Sequence, residues 1–186
     1  MATEHQTITP EQKRVIEALV APSVVYDEAV DLYLGSRELQ IRSFPGHTGG
    51  DSVVLVPDAN VVFTGDLFWR NSLPNTVDAS TMPWIFTLNA LEKGEADYTF
   101  VPGHGDLGRA ADVAVFREYL ATLRKLAADA RAQGKSDSAV VEAVMPALDA
   151  QYGKWDNFKY MAKDNLLEMD AELSGRKRIP QGQPEK

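Results

Sequence analysis

Three short glycine-rich segments carry residue types able to bind a metal ion: Pro45-Gly46-His47-Thr48-Gly49-Gly50-Asp51, Thr64-Gly65-Asp66 and Val101-Pro102-Gly103-His104-Gly105. Each lies just beyond, or just before, an apolar run that reads as a strand, and loops at strand ends on a rigid sheet are where sites are commonly built. Imidazole and carboxylate are donors for zinc, and an all-nitrogen-and-oxygen set also suits iron or manganese. Taken singly, each segment reads more readily as a turn or a helix cap. Taken together, they place two of the chain's three histidines in the same context, in order with a strand-end aspartate, which singles out His47, Asp66 and His104. The third histidine, His5, sits in the polar Glu4-His5-Gln6 and reads as a surface residue rather than a ligand. Asp51 reads as the cap of a backbone turn. Trp69, Arg70 and Asn71 follow Asp66 and read equally as substrate contacts or as a rigid structural loop.

Composition narrows the chemistry further. The chain of 186 residues has no cysteine, which excludes disulfides, thiolate metal sites and thiol nucleophiles. A formal net charge of -8 argues against a nucleic-acid partner, which needs a basic face. The basic cluster Arg176, Lys177 and Arg178 lies among Pro180, Gly182 and Pro184 and reads as a solvated tail. No phosphate loop of the Gly-x-x-x-x-Gly-Lys type and no Gly-x-Ser-x-Gly elbow occurs, so neither nucleotide chemistry nor a serine hydrolase is supported. No apolar run is long enough to span a membrane. The polar start, Met1 to Gln12, is unlike a secretory signal, so the expected location is cytoplasmic.

The elements that must position these residues follow from periodicity. Thr9-Pro10-Glu11-Gln12 reads as a capped helix start, followed by the stripe Val15, Ile16, Leu19 and Val20 and ended by Ala21-Pro22. Residues 23–66 read as a β meander. It comprises a short strand at Val24 to Tyr26, a hairpin turning at Gly35-Ser36, and two continuous apolar runs at 52–56 and 61–64 joined by Pro57-Asp58-Ala59-Asn60. Continuous runs suit strands covered on both faces. An irregular loop is expected from Leu67 to Ala79, then a helix around Trp84 to Gly94 and a strand at Tyr98 to Val101. A long helix is expected over Ala110 to Gln133, another helix broken near Pro146, and a last one over Trp155 to Leu173. Trp84, Trp155, Tyr152, Phe158 and Tyr160 read as packing residues. The order is α/β, with one domain over 1–174 and a disordered tail over 175–186.

The series Gly46-His47-Thr48, then Thr64-Gly65-Asp66 after an apolar strand, then Pro102-Gly103-His104-Gly105, resembles the later motifs of the metallo-β-lactamase superfamily, over roughly residues 23–125. The resemblance implies that His47, Asp66 and His104 are metal ligands. Asp66 would be the catalytic carboxylate, bridging to or belonging to a second metal that His104 completes. It implies one or two zinc ions, with iron or manganese as alternatives, that activate water for hydrolysis of a small-molecule carbonyl or ester substrate.

The family's earlier His-x-His-x-Asp-His stretch is absent from this sequence, so about half of the implied ligand set is present. The implied fold is likewise half of the αββα sandwich: a mixed sheet with helices on one face, plus C-terminal helices. An uncovered sheet face of several hundred Å² would forfeit on the order of 10 kcal/mol at ~25 cal/mol per Å². Three resolutions follow: a fragment of a longer hydrolase, a partner polypeptide supplying the missing half, or a homo-oligomer packed sheet against sheet. The implied function is a zinc-dependent hydrolase of this superfamily, incomplete or dependent on association for activity. The alternative is a non-catalytic, self-associating half-fold that binds metal weakly or not at all.

Overall fold

A computed structural model describes residues 9–20 and 22–178. His5 and the Pro180–Pro184 stretch lie outside the described residues. Thr9 caps the first helix, α1 (Pro10–Glu17): its hydroxyl accepts from the Gln12 N–H, and the Gln12 side chain accepts from the Thr9 N–H. None of the residues of α1 is buried, and its apolar stripe at Val15 and Ile16 faces solvent.

Alternation of apolar and polar residues builds the hairpin of β1 (Ala29–Leu34) and β2 (Arg37–Ser43), which pair antiparallel. The two apolar runs become β3 (Ser52–Val56) and β4 (Val61–Trp69), joined by a 3-10 turn at Pro57–Ala59. The chain then crosses over through α2 (Thr81–Gly94) to β5 (Thr99–His104), which lies parallel to β4. The sheet order is β1-β2-β3-β4-β5, antiparallel throughout except for the last pair. Three helices follow: α3 (Ala110–Ala132), α4 (Ser138–Tyr152) and α5 (Phe158–Leu173). The fold is therefore α/β with a mixed sheet, as the sequence implies. None of the described helices is long and apolar enough to cross a membrane.

The core lies between one face of the sheet and the helices. Val53, Leu55, Val62 and Phe100 point from the sheet into a layer made by Trp84, Leu88 and Leu91 of α2 and Phe116, Leu120 and Leu123 of α3. The helices α4 and α5 extend this layer through Val144, Leu148, Leu166 and Met169. The opposite face bears one continuous apolar rung across all five strands, Val30–Ile41–Val54–Phe63–Val101, each residue paired with the next. Phe63, its fourth residue, is 46% exposed.

Several expectations are corrected. Val24 to Tyr26 is not a strand, having no neighbour with which to pair. Leu67 to Trp69 is not loop: β4 continues through these residues, with register shifts beside Gly65. Pro146 does not break α4. Both Pro146 and Glu142, whose carbonyl loses its helical donor, are exposed, so water can satisfy that oxygen. The last helix starts at Phe158, and Trp155 instead packs its ring against Tyr119 and Tyr152. Tyr160 faces solvent rather than the core. Lys177 is not solvated, and the half-exposed Arg176 is held by ion pairs. Arg176 pairs with Asp170 at 2.6 Å and Asp137 at 3.0 Å, and the buried Lys177 ammonium donates to the Thr76 carbonyl and pairs with Glu168.

Candidate metal centre

The three residues singled out by sequence meet at the C-terminal ends of β4 and β5. Each is placed by a different local device. His47 lies in the loop between β2 and β3. That loop closes on itself, because Asp51 accepts from both the Thr48 N–H and the Thr48 hydroxyl at 2.7 Å. Asp51 is thus the turn cap expected of it. The loop is also tied to α2: the Gly46 carbonyl accepts from the Ser80 N–H, and the Pro45 carbonyl accepts from the Thr87 hydroxyl. Gly46 must be glycine for a packing reason, since a Cβ there would stand 2.8 Å from the Trp84 ring and would also strike Leu67.

Asp66 sits where β4 bulges. A regular strand would turn residues 66 and 69 to opposite faces; the register shifts between Gly65 and Trp69 break that alternation. His104 ends β5 and pairs across the sheet with Trp69. Its carbonyl accepts the Arg70 N–H at 3.0 Å. The neighbouring Gly103 leaves room for the carboxylate, because a Cβ at that position would collide with Asp66 Oδ1 and the Gly65 backbone.

Asp66 stands between the two imidazoles. Its Oδ1 lies 3.5 Å from His104 Nε2, and its Oδ2 lies 4.0 Å from His47 Nδ1. The His47 side chain is mostly enclosed, whereas that of His104 is about half exposed. Two aromatic rings wall the site. Trp84 meets His47 edge-on at 5.5 Å, and Trp69 stacks on His104 at 3.8 Å.

The donor types fit a divalent ion. Two imidazoles and one carboxylate match the three-protein-ligand pattern of catalytic zinc, which leaves a further position open. The spacing fits less closely. Donors of a tetrahedral zinc with bonds of ~2.0–2.1 Å stand roughly 3.3 Å apart. The His104–Asp66 separation approaches this, whereas His47 would have to close by several tenths of an ångström. Among the described residues, no group of three or more His, Asp or Glu side chains is already drawn together tightly enough to hold an ion. The earlier ligand stretch has no counterpart among the residues at this site.

The loop that follows Trp69 is rigid. The Arg70 guanidinium donates to Asp112 at 3.1 Å and to the Leu107 carbonyl. The Asn71 carbonyl accepts from the Asp156 N–H, and the Asp156 carbonyl accepts from the Leu73 N–H. Deeper in, the buried Asn165 amide donates to the Pro74 carbonyl and to Tyr119, and its oxygen accepts from Thr76. Burial pushes the Tyr119 hydroxyl well above its usual range, with the Asn165 hydrogen bond opposing, so this network stays neutral. These bonds give Arg70 and Asn71 a structural part in the loop. The part of the site that sequence left undecided is Trp69, because a three-residue separation from Asp66 signals a shared site only once the bulge is known.

Comparison with known proteins identifies the family and the fold. Residues 8–104 match the family model of the metallo-beta-lactamase superfamily. No curated protein matches the chain. Among solved structures, a stereoselective inverting sec-alkylsulfatase from Pseudomonas sp. is 16% identical, with a TM-score of 0.69 over 84% of this chain and 27% of the sulfatase. A metallo-beta-lactamase from Pontibacter korlensis is 23% identical, with a TM-score of 0.51 over 58% of this chain and 53% of the lactamase. The chain thus spans about a quarter of the length of the sulfatase and about half that of the lactamase.

Proposed function

This chain belongs to the metallo-beta-lactamase superfamily, and we propose that it contributes His47, Asp66 and His104 to the metal centre of a hydrolase. The observation that carries the reading is the placement of one carboxylate between two imidazoles, at 3.5 and 4.0 Å, at the ends of β4 and β5. Zinc suits the donor set, and iron or manganese would also be accepted. A bound ion would supply Lewis-acid activation of water and of the bond to be cleaved. The chain's own residues hold the donors in place. Asp51 and Thr48 fix the His47 loop, the Arg70 N–H fixes the His104 backbone, and the β4 bulge aims Asp66 between them.

The substrate class is approached through the helices. The likeness to the sulfatase covers a stretch of this chain longer than everything before α4, so it reaches into the C-terminal helices. Secondary alkyl sulfate esters therefore come first in a substrate assay, with β-lactams second.

Activity on this reading needs the open sheet face to be covered. At the β1–β2 hairpin the side facing the helices is polar, with Asp31, Glu38, Gln40 and Arg42, whereas the open side carries Val30, Leu32, Leu39 and Ile41. A sheet edge patterned this way is built to bury its open side. We propose a second copy of this chain, or a polypeptide contributing a further sheet, as the cover.

Native mass spectrometry of the zinc-treated chain, freed of excess metal, tests both parts. The expected species carries at least one zinc per chain and is larger than one chain. His47→Ala, Asp66→Ala and His104→Ala should each lower zinc retention at unchanged assembly. A metal-free wild-type chain would overturn the metal reading and leave the alternative of a non-catalytic, self-associating half-fold. A strictly monomeric species would overturn the association.

A further inference from the structure

We infer that Trp69 is a positioning residue that fixes the His104 imidazole and the Asp66 backbone in their facing arrangement. The inference deepens the metal-centre reading and rests on it for its functional meaning. Three features of Trp69 converge. Its indole stacks on His104, with ring centroids 3.8 Å apart and planes 26° apart. Its indole N–H donates to the Asp66 carbonyl at 3.0 Å. Its other neighbour is His47, at 6.2 Å and 33°. One side chain therefore touches or approaches all three residues of the centre.

The stack removes a freedom that the backbone leaves open. His104 lies at the end of β5 with its side chain about half exposed, and its carbonyl is held by Arg70, but no hydrogen bond to the imidazole is present among the described residues. An imidazole with χ1 and χ2 unrestrained would sample several rotamers. The indole covers one face of the ring and leaves Nε2 turned toward Asp66 Oδ1. Trp69 itself is only 6% exposed, so it has no face to offer a substrate. It is held in turn by the pairing of β4 with β5. Residues that orient metal ligands from behind commonly change affinity by 10–100-fold when removed; stacking here takes the part that a hydrogen bond to the outer imidazole nitrogen plays elsewhere.

The test compares wild type with Trp69→Leu and Trp69→Phe by two readouts. The first is the position of the His104 ring-proton resonances in the metal-free protein. A stacked indole shields these protons, so they should lie upfield in wild type, move back in Trp69→Leu and stay partly shielded in Trp69→Phe. The second is Zn²⁺ affinity by calorimetry. It should fall about 10- to 100-fold in Trp69→Leu, with Trp69→Phe recovering most of the loss, because a phenyl ring can stack but cannot donate to Asp66. Circular dichroism confirms that each variant is folded. Unchanged His104 resonances in a folded Trp69→Leu would overturn the inference, as would Zn²⁺ affinity equal to wild type. A wild-type chain that takes up no Zn²⁺ sinks the metal-centre reading instead, and the resonances then decide the role of Trp69 alone.

Discussion

The two faces of the five-stranded sheet are built from the same strands and differ in what covers them. On the covered face Val53, Val62 and Phe100 are fully buried beneath α2 and α3. On the other face Val54, Phe63 and Val101, their immediate neighbours along the same strands, are partly or largely in water. The candidate metal centre lies at the end of the seam between the two, drawing its candidate ligands from β4, β5 and a loop braced by α2. The covered side braces the centre, and the open side is the face the proposed cover would bury. The same division appears in the polar network. The C-terminal layer satisfies Asn165, Asp170 and Lys177 with several partners each. The amphipathic α1, by contrast, has none of its apolar residues in the core.

The largest expected effect is on the covered side, at Trp84. This ring is fully buried, donates to the Leu67 carbonyl at 2.8 Å, and packs on Phe116, Gly46 and His47. Trp84→Ala should cost about 3–5 kcal/mol, measured by urea denaturation, and should also loosen the His47 loop. A loss below about 1 kcal/mol would mean that the covered face does not hold the fold.

A smaller effect is expected at Asp170, which tests whether the C-terminal layer acts through charge. Its fully buried carboxylate is raised by desolvation. The Asp137 N–H and the charges of Arg131 and Arg176 oppose this and win, so the net shift is below the ordinary carboxylate range. A carboxylate lowered in the folded state contributes stability at pH values above its unfolded value of about 3.9, and that contribution is lost as the pH falls through the lower folded value. Asp170→Asn should therefore cost about 2–3 kcal/mol at pH 7, less than the ~3–5 typical of breaking a buried pair, because both guanidinium groups can reach water. The difference between variant and wild type should shrink on acidification below pH 4. Equal stability curves from pH 7 to pH 3 would remove the charge network from the account.

Much of this division was legible in sequence, and the failures have identifiable causes. Alternation at 30–34 and 39–41 gave the hairpin and its faces, the Thr9–Gln12 box gave the start of α1, and glycine context gave His47, Asp66 and His104 as neighbours. The extension of β4 to Trp69 was hidden because its bulge breaks the two-residue period on which strand recognition depends. Arg176 and Lys177 looked like a tail because their partners, Asp170, Asp137 and the Thr76 carbonyl, are distant in sequence or ordinary in type. The Asn165 network was invisible for the same reason: no local signal links it to Pro74 or Tyr119. Tertiary pairing, not local propensity, decided each of these.

The smallest expected effect belongs to the open face, and it separates a bare sheet from a covered one. Phe63, the fourth residue of the Val30–Ile41–Val54–Phe63–Val101 rung, is 46% exposed. In a lone chain Phe63→Thr keeps a β-branched residue in the strand but gives up the part of the ring that is out of water, so it should cost about 1–2 kcal/mol, the same at any protein concentration. In an assembly that buries this face, the same substitution deletes a central contact. Its cost should then be larger than in the lone chain and depend on protein concentration, because association is linked to folding by mass action. Denaturation midpoints at two concentrations a hundredfold apart distinguish the cases. A concentration-independent midpoint, with the same cost of Phe63→Thr at both concentrations, would mean that the apolar rung stays in water and that the proposed cover does not exist.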